Sequence, residues 1–190
     1  MANQFSTTMR NSMAAIFEST LGTTPLLRIR TGAQPANCAA ARSGTTLVSM
    51  TLPSDFMGSA SNGTVSKSGT WEDSSADAGG DPGHFELMDS TGTTCHAQGP
   101  CAAPWTASRN YAAGAAVTND GGKVYRCTTG GVAASSGGPT GTGASIADGA
   151  AVWQYIGADI ASIGGMTVNG PVGAGQAVTV STYSITIGGA

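Results

Sequence analysis

Apolar positions fall into three kinds of pattern along this chain. Phe5, Met9, Met13, Ile16, Phe17 and Leu21 recur at helical spacing. Ser6 stands where an N-cap belongs and Gly22 where a helix stops, so one amphipathic helix is predicted over 6–20. Alternating or short apolar runs follow, each bounded by Gly, Pro, Asn or Asp. They predict strands at Leu26–Arg30, Thr46–Leu52, Thr64–Trp71, His84–Met88, Thr93–Gln98, Met166–Val168 and Gln176–Ile187. In Thr46–Leu52, Val48, Met50 and Leu52 share one face. His84–Met88 and Thr93–Gln98 flank Asp89-Ser90-Thr91-Gly92 and read as a hairpin. In the last strand the parity changes at Ser181-Thr182, which predicts a bulge or burial on both faces. Thr64–Trp71 is polar and is expected at a sheet edge.

The third pattern is Pro104–Gly157. It holds Trp105, Trp153, Tyr111, Tyr125 and Tyr155, and the residues between them are mostly Gly, Ala, Ser and Thr. Such a stretch cannot bury a large aliphatic core. It can form short strands clamped by aromatic rings, which bury a large area per residue. In Val152–Ile156, Trp153 and Tyr155 alternate with Val152, Gln154 and Ile156. The aliphatic pair is expected to face a small core, with Trp153 and Tyr155 outward. The pattern as a whole predicts a mainly β chain: an antiparallel sandwich or jelly-roll-like domain (1–103 plus 158–190) with an N-terminal helix, interrupted by a small β module (104–157).

Composition narrows the function classes. The 190 residues include 29 glycines, about twice the usual share, and only 10% are charged. That balance fits a turn-rich β protein and not a disordered chain. Net charge is −3 and the eight Lys and Arg are scattered, so there is no basic stripe for nucleic acid. No apolar run has the length of a membrane span, and the first 21 residues lack the apolar core of a signal peptide. Synthesis in the cytoplasm without membrane insertion is therefore expected.

Catalytic and metal chemistry find little support. Glu72, Asp73, Asp77, Asp81, Glu86 and Asp89 crowd one segment, but not at calcium-loop spacing, and read as a solvated acidic loop. His84 and His96 have no nucleophile motif beside them. Cys38, Cys95, Cys101 and Cys127 lack zinc-site spacing. Cys95 and Cys101 are near enough in sequence to bridge, yet buried free thiols are the plainer reading. The chain is expected to be no enzyme and to need no cofactor or metal.

Two resemblances add an expected identity. The order Trp105, Tyr111, Gly114-x-x-Val117, Gly122-x-Val124-Tyr125, then Asp148-Gly149-x-x-x-Trp153-x-Tyr155-x-Gly157 resembles a module inserted in bacteriophage tail fibres and decoration proteins. It is also similar to small carbohydrate-binding modules. The outer segments, among them QFSTTMRNSM, TLVSMTLPSDFM, SGTWEDSSADA and AGQAVTVSTYSITIGG, resemble a family of small phage virion proteins encoded among head-assembly genes. The resemblance implies a capsid decoration or cement protein in the virion, homo-oligomeric, bound to the major capsid protein or other virion proteins. A tail-associated adhesin for host surface polysaccharide is the alternative it leaves. Two candidate sites result. One is a glycan-binding face on Trp105, Tyr111, Tyr125, Trp153 and Tyr155. The other is an assembly interface on Phe5, Met9, Met13, Ile16 and Phe17; that helix face either meets a neighbouring subunit or packs on its own sheet.

Overall fold

The computed structural model describes residues 4–188; the outermost residues of the predicted main domain, 1–3 and 189–190, lie outside this range. The chain is mainly β, built as a sandwich-like domain with one N-terminal helix. Helix α1 spans Thr7–Leu21; the Ser6 hydroxyl accepts from the Met9 amide, and the Gly22 amide closes the other end on the Glu18 carbonyl. Strands β1 (Leu26–Arg30) and β2 (Thr46–Thr51) pair antiparallel, and β1 also pairs with β5 (His84–Met88). Between them in sequence lie two short strands, β3 (Thr64–Ser66) and β4 (Glu72–Asp73).

The predicted hairpin forms between β5 and β6 (Cys95–Pro104). The Asp89 carboxylate organises its turn. One oxygen accepts from the Thr91 hydroxyl (2.8 Å) and the Thr93 amide (3.0 Å), and the other from the Thr93 hydroxyl (3.2 Å). Strand β6 then becomes the seam of the molecule. Its last residues pair parallel with β8 (Ala116–Asn119), and its Cys101–Ala102 pair parallel with β13 (Met166–Val168).

Between those two partners the chain forms β7 (Asn110–Tyr111), β9 (Lys123–Thr129), β10 (Gly131–Val132), β11 (Ile146–Asp148) and β12 (Ala151–Gly157). β8, β9, β12 and β11 extend the main sheet outward from β6, while β7 and β10 form a separate pair. After β13 come β14 (Val178–Thr182), which pairs with β13 and β4, and β15 (Ser184–Thr186), which pairs with β3.

Packing divides into three clusters. The largest joins Leu27, Ile29, Val48, Met50, Leu52 and Phe85 with the rings of Phe56, Trp71 and Tyr183. A second, aromatic cluster lies wholly within 105–155. A small third one, Ala102, Ala116 and Val124 with Ile156, Ile160 and Ile163 against them, sits at the seam.

Two expectations are corrected here, and a third holds in part. At Ser181-Thr182 the ladder has the expected irregularity: Val180 pairs with Val168 and Thr182 with Thr167, so Ser181 is an extra residue on β14. Burial there is not two-sided, and the run then breaks at the buried Tyr183, its two halves joining different sheets. The polar stretch ending at Trp71 is not one edge strand. Only Thr64–Ser66 is extended in a ladder, and Trp71 is 1% exposed, its indole donating to the Ser68 carbonyl. The acidic segment is not wholly solvated. Glu86 is buried against Arg30 (3.3 Å) and Arg42 (3.7 Å), and Asp81 is buried against Arg109 (2.6 Å). Burial requires such pairing, since an isolated carboxylate away from water is costly.

Candidate functional site

The aromatic residues of the module build a core around a carboxylate. Asp148, buried at the end of β11, accepts from the indole of Trp105 (2.8 Å) and that of Trp153 (3.0 Å) through one oxygen. Its other oxygen accepts from the Ala134 amide (2.9 Å). Tyr111 meets Trp153 edge to face at 4.9 Å, and the Tyr111 hydroxyl accepts from the Thr106 amide (2.7 Å).

Tyr125 donates to Asp120 (3.3 Å) and to the Gly141 carbonyl (3.0 Å) and packs against Tyr155. Burial, and then the Asp120 charge, push its hydroxyl up to about 12. The Lys123 ammonium and the Gly141 amide in turn hold Asp120 below the usual carboxylate range.

Trp153 therefore faces inward, against the expectation from alternation, while Val152 and Ile156 are only half-buried. Register irregularities at Val152/Trp153 and Tyr155/Gly157 shift β12 against β9. The two indole donors can also share one buried acceptor only if both point inward. Tyr111 and Tyr125 are buried as well. Of the five residues predicted as a glycan face, only Trp105 and Tyr155 keep part of their surface in solvent. Even Trp105 is covered on one side. Gly138, at φ +72°, packs so closely that a Cβ there would lie 2.8 Å from its ring.

The helix gives the opposite result. One face turns inward: Ala14 and Leu21 are buried, and Phe17 contacts Phe56 and Tyr183, each at 6.4 Å between centroids. Polar atoms on the same side hold the loop before β3. Arg10 donates to the Asn62 carbonyl (3.1 Å), Asn11 accepts from the Gly63 amide (2.7 Å), and Glu18 accepts from the Met57 amide (3.0 Å). With residues 10, 11, 14, 17, 18 and 21 used in this way, the remaining apolar stripe faces solvent.

Phe5, Met9, Met13 and Ile16 are 40%, 51%, 38% and 60% exposed. Four of the five predicted interface residues thus form one exposed row, and Phe17 belongs to the protein's own core. Beside the row lies an apolar cleft of about 280 Å³ between the helix and the last strands, with Ile185 and Ile187 on its far wall and His96 at its rim. Those three residues were not anticipated as site residues, although the alternation Tyr183, Ile185, Ile187 carried the signal. Asp148 was visible only as the first residue of the Asp-Gly motif.

No known family model, characterised protein or solved structure matches the chain. Among the described residues no helix is long and apolar enough to cross a membrane.

Proposed function

We propose that this chain is a non-enzymatic structural protein of a phage particle, a capsid decoration or cement protein that seats its helical face on a neighbouring virion subunit and turns its aromatic module outward. The observation that carries the reading is the row Phe5, Met9, Met13 and Ile16. These side chains offer an exposed apolar patch on the order of 400 Å², the size of the largest such patch on an ordinary soluble monomer, which often serves a function. A stable pairwise interface needs about 800 Å² per partner, so this patch suits one contact among several on a repeating lattice rather than an isolated dimer. The resemblance of the outer segments to phage virion proteins points the same way, and the major capsid protein is the partner it favours. The burial of Tyr111, Tyr125 and Trp153 weighs against the adhesin alternative, because these rings cannot stack on a sugar without unfolding the module.

The test is a pair of charge insertions in the exposed row, Met9→Glu and Ile16→Glu. Each should leave the melting temperature within about 3 °C, as surface changes do. Together they should abolish co-sedimentation with particles lacking the native protein. Undiminished binding by the folded double variant would remove the helix from the interface.

A further inference from the structure

Two of the four cysteines, far apart in sequence, line one cleft. Cys38 lies in the loop between β1 and β2, and Cys95 opens β6. Both are half-exposed, whereas Cys101 and Cys127 are buried. The first pair lines a single open cleft of about 550 Å³, together with Arg42 and Thr93. Arg42 pins the loop there by donating to the Thr93 carbonyl (2.8 Å) and by pairing with Glu86 (3.7 Å). The Cys95 thiol donates to the Ala97 carbonyl (3.3 Å), on the cleft that also carries Cys38. The sequence offers Cys95 and Cys101 as the near pair. The ladder separates them, because Cys101 sits sealed in the main core where β6 meets β13.

We propose that Cys38 and Cys95 form a redox pair that closes to an intramolecular disulfide when the protein meets an oxidising medium containing a low-molecular-weight disulfide. The Cys38 thiolate attacks one sulfur of the small disulfide, RSSR. An S–S bond forms to Cys38 and RS⁻ leaves. The Cys95 thiol then gives up its proton, and its sulfur attacks Cys38 to expel the second RS⁻. Two protein thiols lose two electrons and two protons. RSSR gains them and leaves as two RSH.

Roles within the pair follow from their surroundings. Burial, and then the Cys38 neighbour, push the Cys95 thiol up to about 12, so Cys95 suits the resolving step and Cys38 the attack. The pair stays reduced in a cytoplasm and closes outside it. Closure staples the loop to the β5–β6 hairpin and shortens the unfolded chain's freedom. The inference is independent of any role in a particle.

The test treats the full-length, reduced protein with oxidised glutathione at about pH 8, near the ordinary thiol pKa. The product is alkylated, digested and mapped by mass spectrometry. The expected product joins the peptide carrying Cys38 to Cys95, is lost on reduction, and leaves Cys101 and Cys127 to be alkylated only after denaturation. Its melting temperature should exceed that of the reduced protein by roughly 5–15 °C. Cys95→Ser should instead hold a stable glutathione adduct on Cys38; should that variant misfold, the wild-type map decides alone. Glutathione on both cysteines without a link, four free thiols after oxidation, or links only between chains would overturn the proposal.

Discussion

At the scale of single residues, two buried polar groups hold the molecule's most exacting positions. Among the described residues, Asp148 is the only acceptor for the indoles of Trp105 and Trp153. Asp148→Ala strands both donors and the Ala134 amide, and should cost about 2–4 kcal/mol. Asp148→Asn keeps one acceptor oxygen for the indoles and should cost about half as much. Near-ultraviolet circular dichroism of the tryptophans during thermal unfolding reads both. His84 is the second group. It is wholly buried, one ring nitrogen meets the Gly32 carbonyl at 3.1 Å, and Nε2 has no partner among the described residues. Burial lowers its pKa, offset in part by the Gly32 contact and by Glu86, with Arg30 and Arg126 facing it and adding to the lowering. The folded state thus resists the proton that the unfolded state accepts below about pH 6.5. Stability from this group is complete above that pH and declines as pH falls toward the lowered value. Melting temperatures of wild type and His84→Gln, measured from neutral to mildly acidic pH, should show the wild type losing more. Parallel curves would assign the acid sensitivity elsewhere.

At the scale of elements, the helix separates two kinds of apolar side chain that its sequence pattern runs together. Phe17→Ala removes a ring packed on Phe56 and Tyr183 and should cost about 2–4 kcal/mol. Ile16→Ala, one residue away and 60% exposed, should change stability by less than about 0.5 kcal/mol. Chemical denaturation of the two variants checks the assignment of faces. The helix itself was legible within one residue at each end, because Ser6 and Gly22 mark it chemically. Strand β1 and the β5–β6 hairpin were legible for similar reasons, since Pro, Gly and Asp punctuate them. The orientation of β12 was not. Alternation fixes which residues share a face and leaves open which face is inner. That choice was made by Asp148, a carboxylate whose need for donors outweighs the burial of Val152 and Ile156. The helical stripe was legible as a stripe. Its exposure depended on the loop before β3, whose hold on Arg10, Asn11 and Glu18 no local pattern announces.

At the scale of the whole molecule, β6 joins two packing units that otherwise keep separate cores. The two units also approach closely beside this strand: a Cβ at Gly114, where φ is +89°, would lie 2.6 Å from the Gly32 Cα and the Ala33 amide nitrogen. Because β6 and β13 run parallel, a chain leaving one must travel back before entering the other, and such crossovers need a dozen or more residues. Residues 105–165 are that crossover. Replacing 104–157 with a join of about two residues should therefore abolish cooperative unfolding, while a Gly-Ser linker of about eight should restore it. The rescue should be fuller with Asp81→Asn, which removes the buried carboxylate that Arg109 neutralises. The same topology sets an order in time. Every ladder internal to the module closes within 110–157. Strands β3 and β4 instead wait for β15 and β14 near the far end of the chain. During synthesis from the N-terminus, the module's strands leave the ribosome before the outer domain has its closing strands. The order of emergence thus lets the ladders within 110–157 close while the outer strands still lack their last partners, and the outer sheet can be completed only at the end of synthesis.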